Sequence, residues 1–192
     1  MKKILLFKKH ILFICLMCFY FFATAQNAIT TRPGSYYIVR HAEKDTGNNP
    51  VLIPAGLLRA GDLYRALKNR HIDKIYTTKY RRTKMTADSL SIYSGISVVE
   101  YIADTTGSGL QEKINEQKDK QKNILIIAHS NTIPVIIKML GISNFRLKEI
   151  PDNEFDNLYI ITKKNNSTTI QYKKYGTPSN KMKEGHKMNP LQ

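Results

Sequence analysis

Asn123 to Ala128 reads Asn-Ile-Leu-Ile-Ile-Ala, the most strand-like stretch of the chain. A strand that is apolar on consecutive residues needs cover on both faces, and the middle of a parallel sheet provides it. The sequence around it alternates strand and helix patterns. Ser35 to Val39, Lys74 to Thr78, Ile96 to Tyr101, Asn157 to Thr162 and Thr168 to Tyr172 are short and rich in β-branched and aromatic residues, as strands are. Leu57, Ala60, Leu63, Tyr64 and Leu67 recur at helical spacing, so Ala55 to Asn69 is predicted as an amphipathic helix. Further helices are predicted over Arg81 to Tyr93, stopped by Gly95, and from Gly107-Ser108-Gly109 through about Gln121. The last, Thr132 to Leu140, has Thr132 as its cap and Pro134 in the first turn. The two C-terminal strands, separated by polar Lys163 to Ser167, form a hairpin expected at the sheet edge. Strand–helix alternation of this kind defines an α/β layered fold. The sequence has no internal repeat and no sign of a second domain.

The N-terminus follows different rules. Lys2, Lys3, Lys8 and Lys9 precede a twelve-residue apolar run, Ile11 to Phe22, and then Ala23-Thr24-Ala25. This is the layout of a secretory signal, and the run is short of the about 20 residues a spanning helix needs. Residues 1–25 are therefore expected to be a signal peptide, cleaved after Ala25, with an uncleaved anchor as the alternative. The expected location is periplasmic or extracellular, with no stable membrane insertion after cleavage. Both cysteines, Cys15 and Cys18, lie in this segment, so the mature chain has no thiol for a disulfide or a nucleophile. Of the 192 residues, 26–176 are assigned to one domain and 177–192 to a basic, flexible tail. Removing four lysines and no acid from the +15 total leaves +11, a field that attracts anions such as phosphate esters. Much of it lies along Lys163-Lys164, Lys173-Lys174 and Lys181 to Lys187, in the pattern of a solvated basic face, and no nucleic-acid partner is expected.

Open α/β sheets bind ligands beyond the carboxyl ends of their strands. The first predicted strand runs into Arg40-His41-Ala42-Glu43-Lys44, the fourth into His129-Ser130-Asn131-Thr132, and the second into Lys79-Tyr80-Arg81-Arg82-Thr83. That rim collects two imidazoles and several guanidinium groups. A neutral imidazole nitrogen can attack phosphorus, and arginine forks match phosphoryl oxygens. Free N–H groups at the start of the helix after His129 would point at the same anion. Arginines and imidazoles can carry the electrostatics without a metal. His71, just past a predicted helix, and His186, in the tail, are expected to be inert.

In their order, these segments resemble the histidine phosphatase superfamily, branch 1, of the phosphoglycerate-mutase-like clan. Arg40-His41 follows a hydrophobic strand. Leu52-x-x-x-Gly56-x-x-x-Ala60-x-x-Leu63 is similar to the clan's first-helix pattern, and Ile75-Tyr76-Thr77-Thr78-x-x-x-Arg82-x-x-x-Thr86-Ala87 to its second-arginine segment. Ile124 to Leu140 is similar to its second-histidine segment, and Arg-His-Ala-Glu-Lys looks like a subset of small bacterial phosphatases. The resemblance implies a three-layer α/β/α sandwich with a mostly parallel central sheet. It implies His41 as the phosphorylated nucleophile, Arg40, Arg82 and His129 as the rest of the phosphate pocket, and Asn131 at the rim or as a helix cap. It also implies a phosphoester or phosphorylated-protein substrate, no cofactor and no metal.

The usual mutase acid, a glutamate in Glu-Arg-x-x-Gly context, has no counterpart here. Asp104, just past the third predicted strand, is the first candidate for a general acid, with Glu100 and Glu43 as alternatives. If none serves, leaving groups of low pKa, phosphohistidine among them, would be favoured. The expected activity is that of a secreted, metal-independent phosphatase. Two other classes compete with it: a metallohydrolase using His41, Glu43 and His129, and a non-catalytic module that captures phosphorylated ligands. Specificity is expected to lie in the loops Asp45 to Ile53, Ala103 to Leu110 and Ser143 to Phe155.

Overall fold

The computed structural model describes residues 34–164 and 167–184. The predicted signal segment, both cysteines and His186 lie outside the described residues. In chain order the elements are β1 (Ser35–Arg40), α1 (Pro54–Leu67), β2 (Lys74–Thr77), α2 (Arg81–Ser94), β3 (Val98–Glu100), α3 (Ser108–Glu116), β4 (Ile124–Ala128), α4 (Ile133–Met139), β5 (Asn157–Lys164), β6 (Ser167–Lys174) and α5 (Ser179–Glu184). They build one six-stranded sheet in the order β3-β2-β4-β1-β5-β6.

β4, the apolar run, lies inside the sheet between β2 and β1, parallel to both. All five of its residues are buried. Its side chains divide by parity, as a strand's must. Ile124, Ile126 and Ala128 share one core with Tyr36 and Ile38 of β1, Leu110 and Ile114 of α3, and Ile136 and Ile137 of α4. Leu125 and Ile127 share the other with Tyr37 and Val39, Leu63 and Leu67 of α1, and Ala87 and Leu90 of α2. Two cores on opposite faces of one sheet make the three-layer α/β/α sandwich expected. β5 pairs antiparallel with β1, and β6 with β5, which closes that side with the predicted hairpin.

Apart from small end shifts, such as β5 running on to Lys164 and β6 spanning Ser167–Lys174 through part of the expected loop, three elements depart from the sequence-based boundaries. β3 is three residues, not six: as an edge strand it pairs only with β2, and Val98 and Glu100 are exposed, so no burial extends it. α3 ends at Glu116, not near Gln121. Lys118 takes a left-handed φ of 56°, and the buried Asp119 carboxylate turns inward to accept from the Tyr76 hydroxyl at 2.8 Å. The third departure is in the tail, where α5 forms from residues expected to be loose. The Ser179 hydroxyl donates to Asp156 at 2.9 Å, and Thr177 accepts from buried Arg59 at 3.1 Å. The packed region therefore continues past residue 176.

Candidate active site

Three parallel strands end at the same level, and each hands the chain to a polar loop. Arg40 is the last residue of β1, opposite Ala128, the last of β4, and the His41 N–H donates to the Ala128 carbonyl at 3.0 Å. Thr78 follows β2 directly. Strand register thus delivers Arg40, His41, Thr78 and His129 to one edge, and the first turn of α2 adds Arg82. Arg40, His41, Arg82 and His129 line a single cavity of about 430 Å³. That size suits a small ligand.

His41 is 3% exposed, and its Nδ1 lies 2.9 Å from the Ala42 carbonyl. A carbonyl only accepts, so Nδ1 carries the hydrogen and Nε2 keeps its lone pair. Burial, reinforced by Arg40, His129 and Arg82, pushes the His41 imidazole down to about 3, so it is neutral at ordinary pH. Its ring centre is 5.5 Å from that of His129. His129 is pushed down to about 4 by burial and then by Arg82 and Arg40. Arg82 Nη2 lies 3.3 Å from His129 Nδ1, and its guanidinium stacks 4.3 Å from the Tyr80 ring centre. Arg40 is held by the 151–155 loop: Nη1 donates to the Pro151 carbonyl at 2.9 Å, Nη2 to Asp152 at 3.2 Å, and the Phe155 ring lies 4.4 Å below. Both arginine Nε atoms are buried without a hydrogen-bond partner in the described structure. Buried donors with unused capacity beside neutral imidazoles suit an incoming oxyanion.

Thr86 ties the two arginine-bearing segments together. Its hydroxyl accepts from the Ala42 N–H at 2.9 Å and donates to the Arg82 carbonyl at 2.7 Å. This side chain lies one helical turn from Arg82 and anchors the His41 loop. Gly56 has an equally local reason. A Cβ there would stand 2.1 Å from the Glu43 carbonyl oxygen, so only glycine lets α1 approach the His41 loop so closely.

The expected proton donors sit elsewhere or are otherwise engaged. Asp104 does border the cavity, but its Oδ1 accepts from the N–H groups of Thr106 (2.7 Å) and Gly107 (2.6 Å), and Oδ2 from Gly109 (2.7 Å). The Thr106 hydroxyl, the Gly109 N–H and their neighbours hold this carboxylate far below the usual range. It therefore stays ionised, and its place is at the start of α3, not as a proton donor. The Gly107-Ser108-Gly109 amides are correspondingly filled by Asp104. Glu43 is buried and turned away: Arg59 Nε reaches its two oxygens at 2.9 and 2.8 Å and Nη2 reaches Oε1 at 2.6 Å. The metal set His41, Glu43 and His129 loses its third ligand for the same reason. Glu100 is on the edge strand, exposed and paired with Lys84 at 2.7 Å.

Asn131 lines the cavity and is exposed. Thr132 stands at the N-cap, yet its hydroxyl accepts from the His129 N–H at 3.1 Å and caps nothing further along. The amides of Thr132 and Ile133 both donate to the His129 carbonyl, so the predicted set of free helix-end donors is reduced. His71 is exposed after α1, as expected. Thr78, Thr83, Thr86, Tyr80 and Asp152 were not predicted as site residues. Thr78 and Thr86 belong to the quoted second-arginine pattern, Tyr80 and Thr83 to the rim segment after the second strand, and Asp152 to a loop expected to carry specificity.

The fold is phosphoglycerate-mutase-like, with two imidazoles and two guanidinium groups gathered at its strand ends. The sequence match agrees: the histidine phosphatase superfamily (branch 1) model matches residues 36–104, which include Arg40, His41 and Arg82. His129 lies beyond the matched span and is brought in by the fold. No curated protein matches the sequence. Among solved structures, mycobacterial hydrolase 2 is similar over 84% of this chain and 100% of its own, at 12% identity and a TM-score of 0.59. A mycobacterial glucosyl-3-phosphoglycerate phosphatase is similar over 75% and 99%, at 12% identity and 0.55. A SixA protein of Agrobacterium tumefaciens, assigned as a phosphohistidine phosphatase, is similar over 75% and 99%, at 16% identity and 0.53. At such identities the likeness speaks for the fold.

Proposed function

We propose that the protein is a phosphatase acting through a phosphohistidine at His41, on a small phosphomonoester or on phosphohistidine. The observation that carries this is the hydrogen bond from His41 Nδ1 to the Ala42 carbonyl, 2.9 Å, which leaves Nε2 as an unprotonated nucleophile in the cavity it shares with both arginines. In the first step Nε2 forms a bond to phosphorus and the P–O bond to the leaving group breaks, with the leaving oxygen taking a proton from water or from the substrate monoanion. In the second, water attacks phosphorus, the P–N bond breaks, and inorganic phosphate and neutral His41 are returned. Arg40 and Arg82 stabilise the charge on the equatorial oxygens. With Asp104 hydrogen-bonded to the α3 amides, the chemistry favours leaving groups of low pKa, or an imidazole leaving from phosphohistidine. Names of structurally similar proteins, a glucosyl-3-phosphoglycerate phosphatase and one named as a phosphohistidine phosphatase, support the same substrate class.

The proposal includes metal-independent turnover, supported by the pairing of Glu43 with Arg59. It also includes export, supported by the basic head and apolar run of residues 1–25. The test is hydrolysis of an aryl phosphate by the protein in chelator, with trapping of an acid-labile phosphoenzyme. His41→Ala is expected to abolish both turnover and label. Activity lost on chelation and restored by a metal would overturn the proposal, as would tight phosphate-analogue binding without turnover on any phosphoester.

A further inference from the structure

His129 is connected to a buried pair of hydroxyls that the phosphatase chemistry does not itself require. Thr78 Oγ1 lies 3.1 Å from His129 Nε2 and 3.0 Å from Thr83 Oγ1. Thr83 Oγ1 in turn lies 2.8 Å from the Tyr80 carbonyl and 3.1 Å from the Thr78 carbonyl. Both threonines are essentially inaccessible, at 1% and 0% exposure, so bulk water does not compete for these bonds.

The hydrogens in this chain can be counted. Each hydroxyl has one. Both carbonyls beside Thr83 can only accept, so the Thr83 hydrogen goes to a carbonyl. Both contacts of Thr78 Oγ1 are then hydrogen bonds only if Thr78 donates to Thr83 Oγ1. Thr78 Oγ1 is left with a lone pair toward the ring, so His129 Nε2 must carry the ring hydrogen. A second constraint, from the opposite side of the ring, agrees. Arg82 can only donate, and its Nη2 faces Nδ1 at 3.3 Å, so Nδ1 must be bare while the ring is neutral. The other groups around the ring are Arg40, His41 and the Tyr80 ring, whose centre is 5.3 Å away edge-on.

We propose that Thr78 and Thr83 are positioning residues that fix His129 as its Nε2–H tautomer, so that Nδ1, which Arg82 Nη2 faces in the free site, is the ring atom that exchanges a proton with the phosphoryl group once the Arg82 fork turns to the anion. This rests on the phosphatase reading of the site. Neutral His129 then has no hydrogen to offer a phosphoryl oxygen. It gains one when a substrate monoanion transfers its proton to Nδ1, giving a bound dianion and an imidazolium of the same total charge. The hydroxyl pair thus makes His129 the acceptor of the substrate's own proton.

Nitrogen NMR of the full chain labelled with 15N at histidine reads the tautomer directly, with the His129 signals assigned by their loss in His129→Asn. The expected spectrum at neutral pH has Nε2 as the N–H nitrogen and Nδ1 as the bare one. Thr78→Val is expected to produce a tautomer mixture and to lower kcat on an aryl phosphate by about tenfold with little change in KM, and Thr78→Ser to restore both. A wild-type ring with the hydrogen on Nδ1, or averaged between the nitrogens, would overturn the proposal. So would a Thr78→Val protein whose tautomer and kcat are those of the wild type. Should Thr78→Val fail to fold, Thr83→Val keeps the hydroxyl beside His129 but removes its acceptor. It is expected to raise the Nδ1–H fraction, and an unchanged ratio refutes the relay. Absence of turnover in the wild type would sink the phosphatase reading alone, because the spectrum of the free protein decides the tautomer.

Discussion

Glu43 and Arg59 form the clearest energetic test of how the His41 loop is held. Arg59 is fully buried, and the Glu43 side chain is 10% exposed. Three short nitrogen–oxygen contacts join them, the remaining Arg59 hydrogen bond is Nη1 to the Thr177 carbonyl at 3.1 Å, and the guanidinium lies 5.9 Å from the Tyr175 ring centre. Glu43→Gln keeps the shape and removes the charge, so the guanidinium is left buried and uncompensated. Breaking such a pair from one side costs about 3–5 kcal/mol. At roughly 2–4 °C per kcal/mol for a chain of this size, Tm should fall by about 6–20 °C. Replacing both partners with apolar residues of similar volume, as in Glu43→Leu with Arg59→Met, removes the stranded charge and should recover much of the loss. Urea unfolding of the two singles and the double closes the thermodynamic cycle. A Glu43→Gln cost below about 1 kcal/mol, or a double variant no better than the worse single, would refute the account. A pH–rate profile that shifts without any loss of stability would instead return Glu43 to the role of acid.

Three further outcomes are expected. Arg82→Lys keeps the charge but removes the planar fork, and should lower kcat/KM for an aryl phosphate by roughly 10–100-fold, while an unchanged value would remove Arg82 from the phosphate site. Asp104→Asn should leave the alkaline limb of the pH–rate profile in place and weaken the start of α3 by about 0.5–2 kcal/mol in urea unfolding, and loss or displacement of that limb would restore Asp104 as the proton donor. His41 and His129 are pushed down to about 3 and about 4, so from pH about 6.5 to about 4 the unfolded chain binds protons that the native site refuses. Stability should therefore fall as pH drops through that window, by up to about 1.4 kcal/mol per pH unit per histidine, and level off below the folded values. Inorganic phosphate should flatten the slope by favouring the charged rings, and a wild-type slope equal to that of a His41→Asn, His129→Asn double variant would contradict the shifts.

Much of this architecture was legible because local signals and burial agreed. The Asn123 to Ala128 run could only be central, and β4 is central, with its side chains shared between two cores. Gly95 stopped α2 in the left-handed conformation expected of it, φ 64°. Arg40, His41, Arg82 and His129 were readable because the resemblance and the strand pattern point to strand ends and a helix start: Arg40 ends β1, His41 and His129 follow strands, and Arg82 lies in the first turn of α2. What stayed hidden depended on side chains meeting across the fold. Nothing in the chain order says that Glu43 finds Arg59, or that the amides of Gly107 and Gly109 close on Asp104. Position relative to a strand end therefore points to Asp104 as an acid, whereas its hydrogen bonds hold it as the carboxylate. The described start of the tail, residues 177–184, has the composition of a solvated segment, yet Ser179 is buried against Asp156 and the Phe155 N–H.

The charge distribution of the cavity joins these observations. Two permanent cations, Arg40 and Arg82, stand beside two imidazoles that burial keeps neutral, and Asp152 is the carboxylate that reaches Arg40, at 3.2 Å. Protonating either ring in the free site would add a third cation to a poorly solvated cluster. A bound phosphoryl dianion reverses that penalty, because the same enclosed surroundings strengthen its attraction to every positive group. In the proposed chemistry the free site thus keeps His41 unprotonated for attack, and the anion itself supplies the field that lets His129 hold a proton. Nucleophile and proton carrier can then be the same residue type, differing in what their second nitrogen touches: a carbonyl for His41 Nδ1 at 2.9 Å, and a hydroxyl for His129 Nε2 at 3.1 Å.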